Sequence, residues 1–161
     1  REPHSLVRIL QDVLVLIEKD LQKHRIHLHA NFKEDPYAEV NAAQIQQVLL
    51  NLIINGRQAM EAGGSLTITV RSNISDGMGE IAVRDSGRGI PPEKLRSIFE
   101  PFVSTKTADE QGQGGTGLGL ALCKDVIEAH QGRIRVESVV GEGTCFTLRF
   151  PIVEKPALLA G

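Results

Sequence analysis

Cysteine is scarce in this sequence. There are two, Cys123 and Cys145, in 161 residues, and neither has the spacing of a metal-ligand set. Both are expected as reduced residues in or near the core. An excess of positive charge is missing too: the net charge is −2, so the bulk charge carries no nucleic-acid or membrane footprint. There is no signal peptide, no apolar run of membrane length and no internal repeat. The chain begins at Arg1 and not at Met, as expected of a piece of a longer protein. What is present is ordinary for a soluble globular domain, with 41% hydrophobic and 24% charged residues, and the length suffices for one domain with a real core.

The stretch that organises the rest is Gly112-Gln113-Gly114-Gly115-Thr116-Gly117-Leu118-Gly119. Its glycines allow backbone N–H groups to approach a ligand closely. The apolar-periodic segment that follows predicts a helix over 117–130, whose start leaves N–H groups unpartnered and partly positive. Together these make an anion site, most simply for phosphates. A Walker A loop is excluded because Leu118, and not Lys, follows Gly117. Gly112, Gly114 and Gly117 match G-x-G-x-x-G literally, with Glu137 about twenty residues on, but residues 104–111 read as a loop where a dinucleotide fingerprint needs a strand. A glycine-rich helix cap with no ligand is the plain alternative.

In chain order, Leu6, Ile9, Leu10, Val13, Leu14, Ile17 and Leu21 predict an amphipathic helix over 5–23 with Ser5 as its cap. Ile26 to Phe32 alternates as a half-buried strand, its outer face carrying His27 and His29, which lack a third metal ligand and read as solvated. His24 and His130 stand near helix ends, where a cation is mildly favoured. Asp35-Pro36 breaks the chain, and 38–40 reads as a short strand.

A second helix spans 42–60. Asn51, Asn55 and Gln58 lie along one side of it, and Gly56 costs ~1 kcal/mol relative to Ala. A buried amide network or an exposed face accounts for the asparagines. So does a site in which Asn55 offers a neutral oxygen to Mg2+ and Gly56 lets something flat lie close. Residues 66–70 and 81–83 form a hairpin around Asp76-Gly77, and the second strand runs into Asp85-Ser86-Gly87-Arg88-Gly89-Ile90. A carboxylate only accepts hydrogen bonds, so Asp85 suits an exocyclic amine such as that of adenine. A tight turn with an Asx bond explains Asp85 equally well. Pro91-Pro92-Glu93 starts a short helix through Phe99, Phe99 and Phe102 anchor the base of a polar loop over 103–115, and Gly132 ends the helix of 117–130. Residues 133–138 and 144–150 close the chain as a hairpin, and 152–161 carry no clear element.

An Asn helix, Asp-x-Gly-x-Gly, Phe-Glu-Pro-Phe, Gly-x-Gly-Gly-Thr-Gly-Leu-Gly-Leu and Gly-Glu-Gly-Thr thus follow one another in order. Over about residues 3–151 the chain resembles the catalytic and ATP-binding domain of bacterial sensor histidine kinases, within the superfamily shared with gyrase, Hsp90 and MutL. The segments Asn55-Gly56-Arg57-Gln58-Ala59-Met60 and Ile98-Phe99-Glu100-Pro101-Phe102 look most like the nitrogen-regulation type. The resemblance implies an α+β, two-layer sandwich (the Bergerat ATP-binding fold) with a mixed sheet under three helices. It implies that residues 1–151 form the domain and 152–161 a poorly ordered tail.

It further implies ATP and Mg2+ as ligands. Asn55 would coordinate the metal, with Asn51 nearby on the same helix and Gln58 and Ala59 beside the nucleotide. Gln58 stands where many relatives have Lys, so Arg57 or Lys106 would supply the missing phosphate contact. Asp85 would hold the adenine amine, Gly87, Gly89 and Ile90 would shape the base pocket, and Gly115, Thr116, Gly117, Leu118 and Gly119 would meet the phosphates. Thr144 would support Asp85 through its hydroxyl or a water.

None of His4, His24, His27, His29 and His130 has the context of the family's phosphoacceptor. The resemblance therefore implies a kinase half that passes the γ-phosphate to a histidine on the parent's dimerisation domain, for relay to a response regulator. The parent would be a homodimer and this segment alone a monomer, cytoplasmic and without membrane or nucleic-acid contact, any anchor belonging to the parent. A water-using clamp ATPase of the same superfamily and a non-catalytic nucleotide-binding module are the other readings. Asn51 bears on the first of these, because hydrolytic members carry Glu one turn before the Mg2+ asparagine.

Overall fold

The computed structural model describes residues 1–100 and 118–157. A short strand, β1 (Glu2–Ser5), leads into helix α1 (Leu6–Lys23). The Ser5 hydroxyl accepts the Arg8 N–H at 3.0 Å, satisfying one of the donors a helix start leaves open. The stripe read from the sequence is the buried one: Leu6, Ile9, Leu10, Val13, Ile17 and Leu21. Strand β2 (Ile26–Phe32) and the short β3 (Tyr37–Val40) precede helix α2 (Ala42–Gln58), which Asn41 caps by accepting the Gln44 N–H. Ile45, Val48, Leu49, Leu52 and Ile53 are its buried face.

The hairpin predicted around Asp76-Gly77 is formed by β4 (Gly64–Asn73) and β5 (Met78–Asp85). After it come the short helix α3 (Pro92–Leu95), helix α4 (Leu118–Ala129) and the closing hairpin of β6 (Arg133–Val139) and β7 (Gly143–Pro151). The main sheet has the order β2-β4-β5-β7-β6, with β2 and β4 parallel and every other pair antiparallel. Helices α1, α2 and α4 cover one face of it and bury a single core that includes Leu66, Ile68, Ile81, Leu148 and Phe150. This is the two-layer sandwich with a mixed sheet and three covering helices that the resemblance implied. On the bare face Glu80 is sandwiched between Arg71 at 2.7 Å and Arg149 at 2.9 Å. Burial works to raise its carboxyl, but the hydrogen bond and charge of Arg71 and the charge of Arg149 outweigh burial and hold it below its ordinary value.

Several local readings need correction. The helix at Pro92 is over by Leu95, and the chain reaches Glu100 through isolated turns (Ser97 N–H to Lys94 O, Glu100 N–H to Ser97 O). Phe99 is nevertheless the anchor expected, packing edge-on against Phe146. Phe102 and the loop over 103–115 lie outside the described residues. Helix α4 is closed by Gln131 in the left-handed region, at φ 63°, followed by the Gly132 N–H bonding to Ile127 O. Gly132 is needed for another reason: a Cβ there would sit 2.6 Å from Arg149 O. Strand β1, antiparallel to β3, has no signal in the sequence, because Pro3 interrupts it and it buries little. Beyond β7, Ile152 donates to Gly77 O and Val153 to Tyr37 O, and 158–161 lie outside the described residues.

The two helix-end histidines each accept a hydrogen bond on one ring nitrogen. The buried His130 ring accepts the Asn41 N–H on Nε2 at 3.1 Å, so Nδ1 bears the hydrogen and donates to Val126 O at 2.8 Å. His24 repeats the arrangement, accepting from Arg57 on Nε2 and donating from Nδ1 to Asp20 O. The two rings therefore fasten the start and the end of α2 to the C-terminal ends of α4 and α1. His130→Leu would leave the Asn41 N–H without its acceptor, at ~1–3 kcal/mol. Thermal unfolding followed by circular dichroism is expected to show a Tm several degrees lower for His130→Leu and unchanged for the exposed control His27→Leu. Equal Tm values for His130→Leu and the parent would overturn the clamp.

Candidate functional site

Strand β5 delivers Asp85 to the edge of the helix layer, where the side chain is 7% exposed. Its two carboxylate oxygens have different surroundings. Oδ1 accepts the Gly87 N–H at 2.8 Å and the Thr144 N–H at 3.3 Å. The first is the Asx bond of a tight turn, so that reading of Asp85 is correct and leaves the second oxygen over. Among the described residues no hydrogen bond falls on Oδ2, which faces Gly56 of α2: a Cβ on Gly56 would lie 3.4 Å from it. Gly56 thus gives Asp85 room against α2.

Burial raises the Asp85 carboxyl above its ordinary value, against the Gly87 and Thr144 N–H groups and the charges of Arg84 and Arg88, which pull it down. A carboxylate oxygen that no described residue engages can accept a hydrogen bond from a donor brought to it.

The walls around Asp85 are held by close backbone approach. Gly87 packs on the end of α2, where a Cβ would meet Ala59 O at 2.6 Å, and the Arg88 N–H donates to that same oxygen. Gly89, at φ 78°, lies against Val139 O at a distance no Cβ would tolerate, and the Gly141 N–H donates to Arg88 O. Ile90 is 9% exposed and its N–H donates to the Ser138 hydroxyl at 2.8 Å. The structure therefore brings Asp85, Gly87, Gly89, Ile90, Ala59 and Thr144 together, as expected. The support from Thr144 comes through its backbone N–H; its hydroxyl is instead bonded to Ser138 at 2.8 Å.

Along α2, Asn51 faces α4. Its Oδ1 is 3.4 Å from the place of a Cβ on Gly119, and it is hydrogen-bonded to Cys123. Burial pushes that thiol up to about 11, against the pull of the Asn51 bond, so Cys123 is an inert core group. One turn on, no hydrogen bond among the described residues falls on the Asn55 amide, which is half-buried beside Asp85's helix wall. Arg57 is directed away: it lies 2.9 Å from Asp20 and bonds to His24 on α1, so it does not supply the phosphate contact missing at Gln58. Lys106, Gly115, Thr116 and Gly117 lie outside the described residues, as does the Leu118 side chain. Ser138 was missed from sequence, although a polar residue in the inward series Ile134, Val136, Ser138 was a usable signal.

The chain is similar in sequence and fold to known proteins. A family model for the histidine kinase-, DNA gyrase B-, and HSP90-like ATPases matches residues 40–154. Sporulation kinase C of Bacillus subtilis is 37% identical over 151 residues, 92% of this chain but 33% of that protein. The chain thus spans about a third of the length of such curated relatives. Among solved structures, the nucleotide-free catalytic domain of histidine kinase ThkA superposes with a TM-score of 0.79 at 33% identity, covering 92% of this chain and 93% of that one. ThkA in complex with the response regulator protein TrrA gives 0.77 at 29% identity, over 94% and 41%.

The raised Asp85 carboxyl has a thermodynamic consequence. A carboxyl held above its unfolded value contributes stability that is present below the unfolded pKa and is lost as pH rises through the folded one. At neutral pH the ionised group therefore costs stability, and Asp85→Asn removes that cost while keeping an oxygen for Gly87 and Thr144. The Tm of the nucleotide-free domain is expected to rise at pH 7.5 in Asp85→Asn, with the gain fading as pH falls through the raised folded pKa and gone below ~4. A lower Tm at pH 7.5 would show that the carboxylate is stabilised, not desolvated.

Proposed function

The chain belongs to the histidine kinase-, DNA gyrase B- and HSP90-like ATPase family, and on that footing we propose that it is the catalytic half of a sensor histidine kinase, passing the γ-phosphate of ATP to a histidine on another domain. The observation that carries this reading is Asp85, with one carboxylate oxygen committed to the backbone and the other turned toward α2 without a hydrogen bond from any described residue. An acceptor-only group there fits the adenine amine and opposes the guanine carbonyl. Residues 1–151 make up the working domain and 152–161 its tail.

Asn55 fits a Mg2+ site in kind: it offers a neutral oxygen that no described residue engages, and Mg2+ takes few protein ligands beside phosphates and waters. Bound there, the ion neutralises charge on the phosphates. Gln58 and Ala59 would lie beside the nucleotide, the backbone amides from Gly115 to Gly119 would receive the phosphates, and Lys106 would meet the last of them. Asn51 supplies no base. An amide cannot take a proton from water, and this one is tied to Cys123. That favours transfer to an imidazole, which is nucleophilic when neutral, over hydrolysis by a clamp ATPase. The partners of the parent are its own histidine-bearing dimerisation domain, which makes it a homodimer, and a response regulator, as TrrA is for ThkA. This segment is monomeric and works in the cytoplasm. Among the described residues no helix is long and apolar enough to cross a membrane.

Calorimetric titration is expected to show ATP bound about ten- to a hundredfold more tightly than GTP, the cost of opposing two acceptors. Asp85→Asn should weaken ATP and narrow that gap; equal affinities in the unsubstituted domain would sink the adenine assignment. Mixed with a separate acceptor domain and labelled ATP, the domain is expected to form acid-labile phosphohistidine while releasing free phosphate very slowly. Fast hydrolysis with no label on the acceptor would move the assignment to the clamp ATPases.

A further inference from the structure

Ser138 is the only hydroxyl among the described residues that joins both walls of the base pocket. Its Oγ lies 2.8 Å from the Ile90 N–H, 2.9 Å from Gly143 O and 2.8 Å from Thr144 Oγ1. A hydroxyl has one proton and two lone pairs. The Ile90 N–H takes one lone pair, and Gly143 O, an acceptor only, takes the proton. The Thr144 hydroxyl must then donate to the second lone pair. All three valences are used, and each partner sits on backbone that faces Asp85.

The consequences run in two directions. Through Ile90, Ser138 holds the far end of the loop that starts at Asp85. Through Gly143 and Thr144, it orients the turn whose Thr144 N–H donates to Asp85 Oδ1 at 3.3 Å. That bond and the one from Gly87 occupy Oδ1, while no described residue bonds to Oδ2. The surrounding backbone is too tight to make the adjustment alone: Gly143 lies against Asp85 O and Gly89 against Val139 O, both closer than a Cβ allows. Among the described residues the Ser138 hydroxyl bonds to Ile90, Gly143 and Thr144, each of them beside Asp85 and none of them proposed to meet the phosphates.

We propose that Ser138 is the positioning residue of the base pocket: it sets the rotamer of Asp85 and the depth of the Ile90 wall, and so the affinity and selectivity for the adenine moiety. It acts through Asp85 and Ile90, and is not itself a catalytic residue. The proposal rests on the adenine reading of Asp85. It requires that losing the Ser138 hydroxyl weakens adenosine, ADP and ATP by the same factor, since the lost contact concerns the base and not the phosphates. The rate of phosphotransfer at saturating ATP stays unchanged.

The experiment titrates adenosine, ADP, ATP and GTP into the whole chain as the parent protein, Ser138→Ala and Ser138→Thr, with the Ile90 amide followed by hydrogen exchange. In Ser138→Ala a roughly tenfold loss is expected for all three adenine ligands, with a reduced ATP-to-GTP ratio, an Ile90 amide that exchanges faster, and KM raised at constant kcat when an acceptor domain is supplied. Ser138→Thr keeps the hydroxyl and restores the affinities. A loss confined to ATP, or an ATP-to-GTP ratio unchanged while Ser138→Ala still unfolds at its parent Tm, overturns the positioning role. If Ser138→Ala lowers the Tm so far that binding cannot be compared, Ser138→Thr decides: failure to restore the ratio in a stable variant overturns it as well. Absence of adenine preference in the unsubstituted protein is a different result, which removes the adenine reading of Asp85 itself.

Discussion

The site depends on a buried carboxylate that the described residues bond at one oxygen only. Taking Asp85 out of water is unfavourable, and two backbone N–H groups recover part of that cost at one oxygen. The remainder is a standing demand for a donor at the other oxygen. Much of the surrounding structure exists to keep this state in place. Gly56 gives Asp85 room on α2, Gly87 lets the loop close onto Ala59, and Gly89 and Gly143 let two turns meet without side chains between them. A protein selected only for stability would replace such a group; one that recognises an amine retains it.

Helix α2 is the second half of the same arrangement. It carries Asn51, which meets α4 at Gly119, and Gly56, which faces Asp85, with Asn55 between them, so a small rotation would misplace all three together. Its orientation is therefore fixed at both ends. His130 receives the N–H of Asn41 at its start, and His24 receives Arg57 at its end, each ring anchored by the carbonyl four residues back on its own helix. In the middle, the Asn51 amide meets Cys123 and the start of α4. Polar ties of this kind add direction to an apolar interface that would otherwise tolerate sliding. Asn51 thus braces α2 against α4, and it also leaves the helix without the carboxylate that water activation needs.

The secondary elements were legible in the sequence because their signals are local. The stripes of α1 and α2, the alternation of β2, β4 and β5, and the turns at Gly77 and Gly141 each depend on residues within one or two turns of each other. The order of motifs, with an acid at the end of a strand and glycines before a helix, was equally visible and led to the family. Less legible were the features that need a partner far along the chain. Strand β1 is a strand only because β3 is beside it. Arg57 reads as a candidate phosphate ligand until α1 places Asp20 within 2.9 Å of it.

By itself, then, the sequence determined the three long helices and the strands of the main sheet, that Asp85 ends a strand, and that Asn51, Asn55 and Gly56 share a helix. It did not determine what those side chains face. Which Asp85 oxygen is engaged is decided by the pairing of β5 with β7, which sets Thr144 opposite Asp85, and of β7 with β6, which sets Ser138 opposite Thr144. Those partners stand 59 and 6 positions apart in the chain, and Ser138 reaches Ile90 across 48. Sheet register is a property of the assembled core, because a one-residue slip exchanges every inward side chain for an outward one. The residue types needed for recognition are local information; their mutual geometry exists only once the sheet has closed.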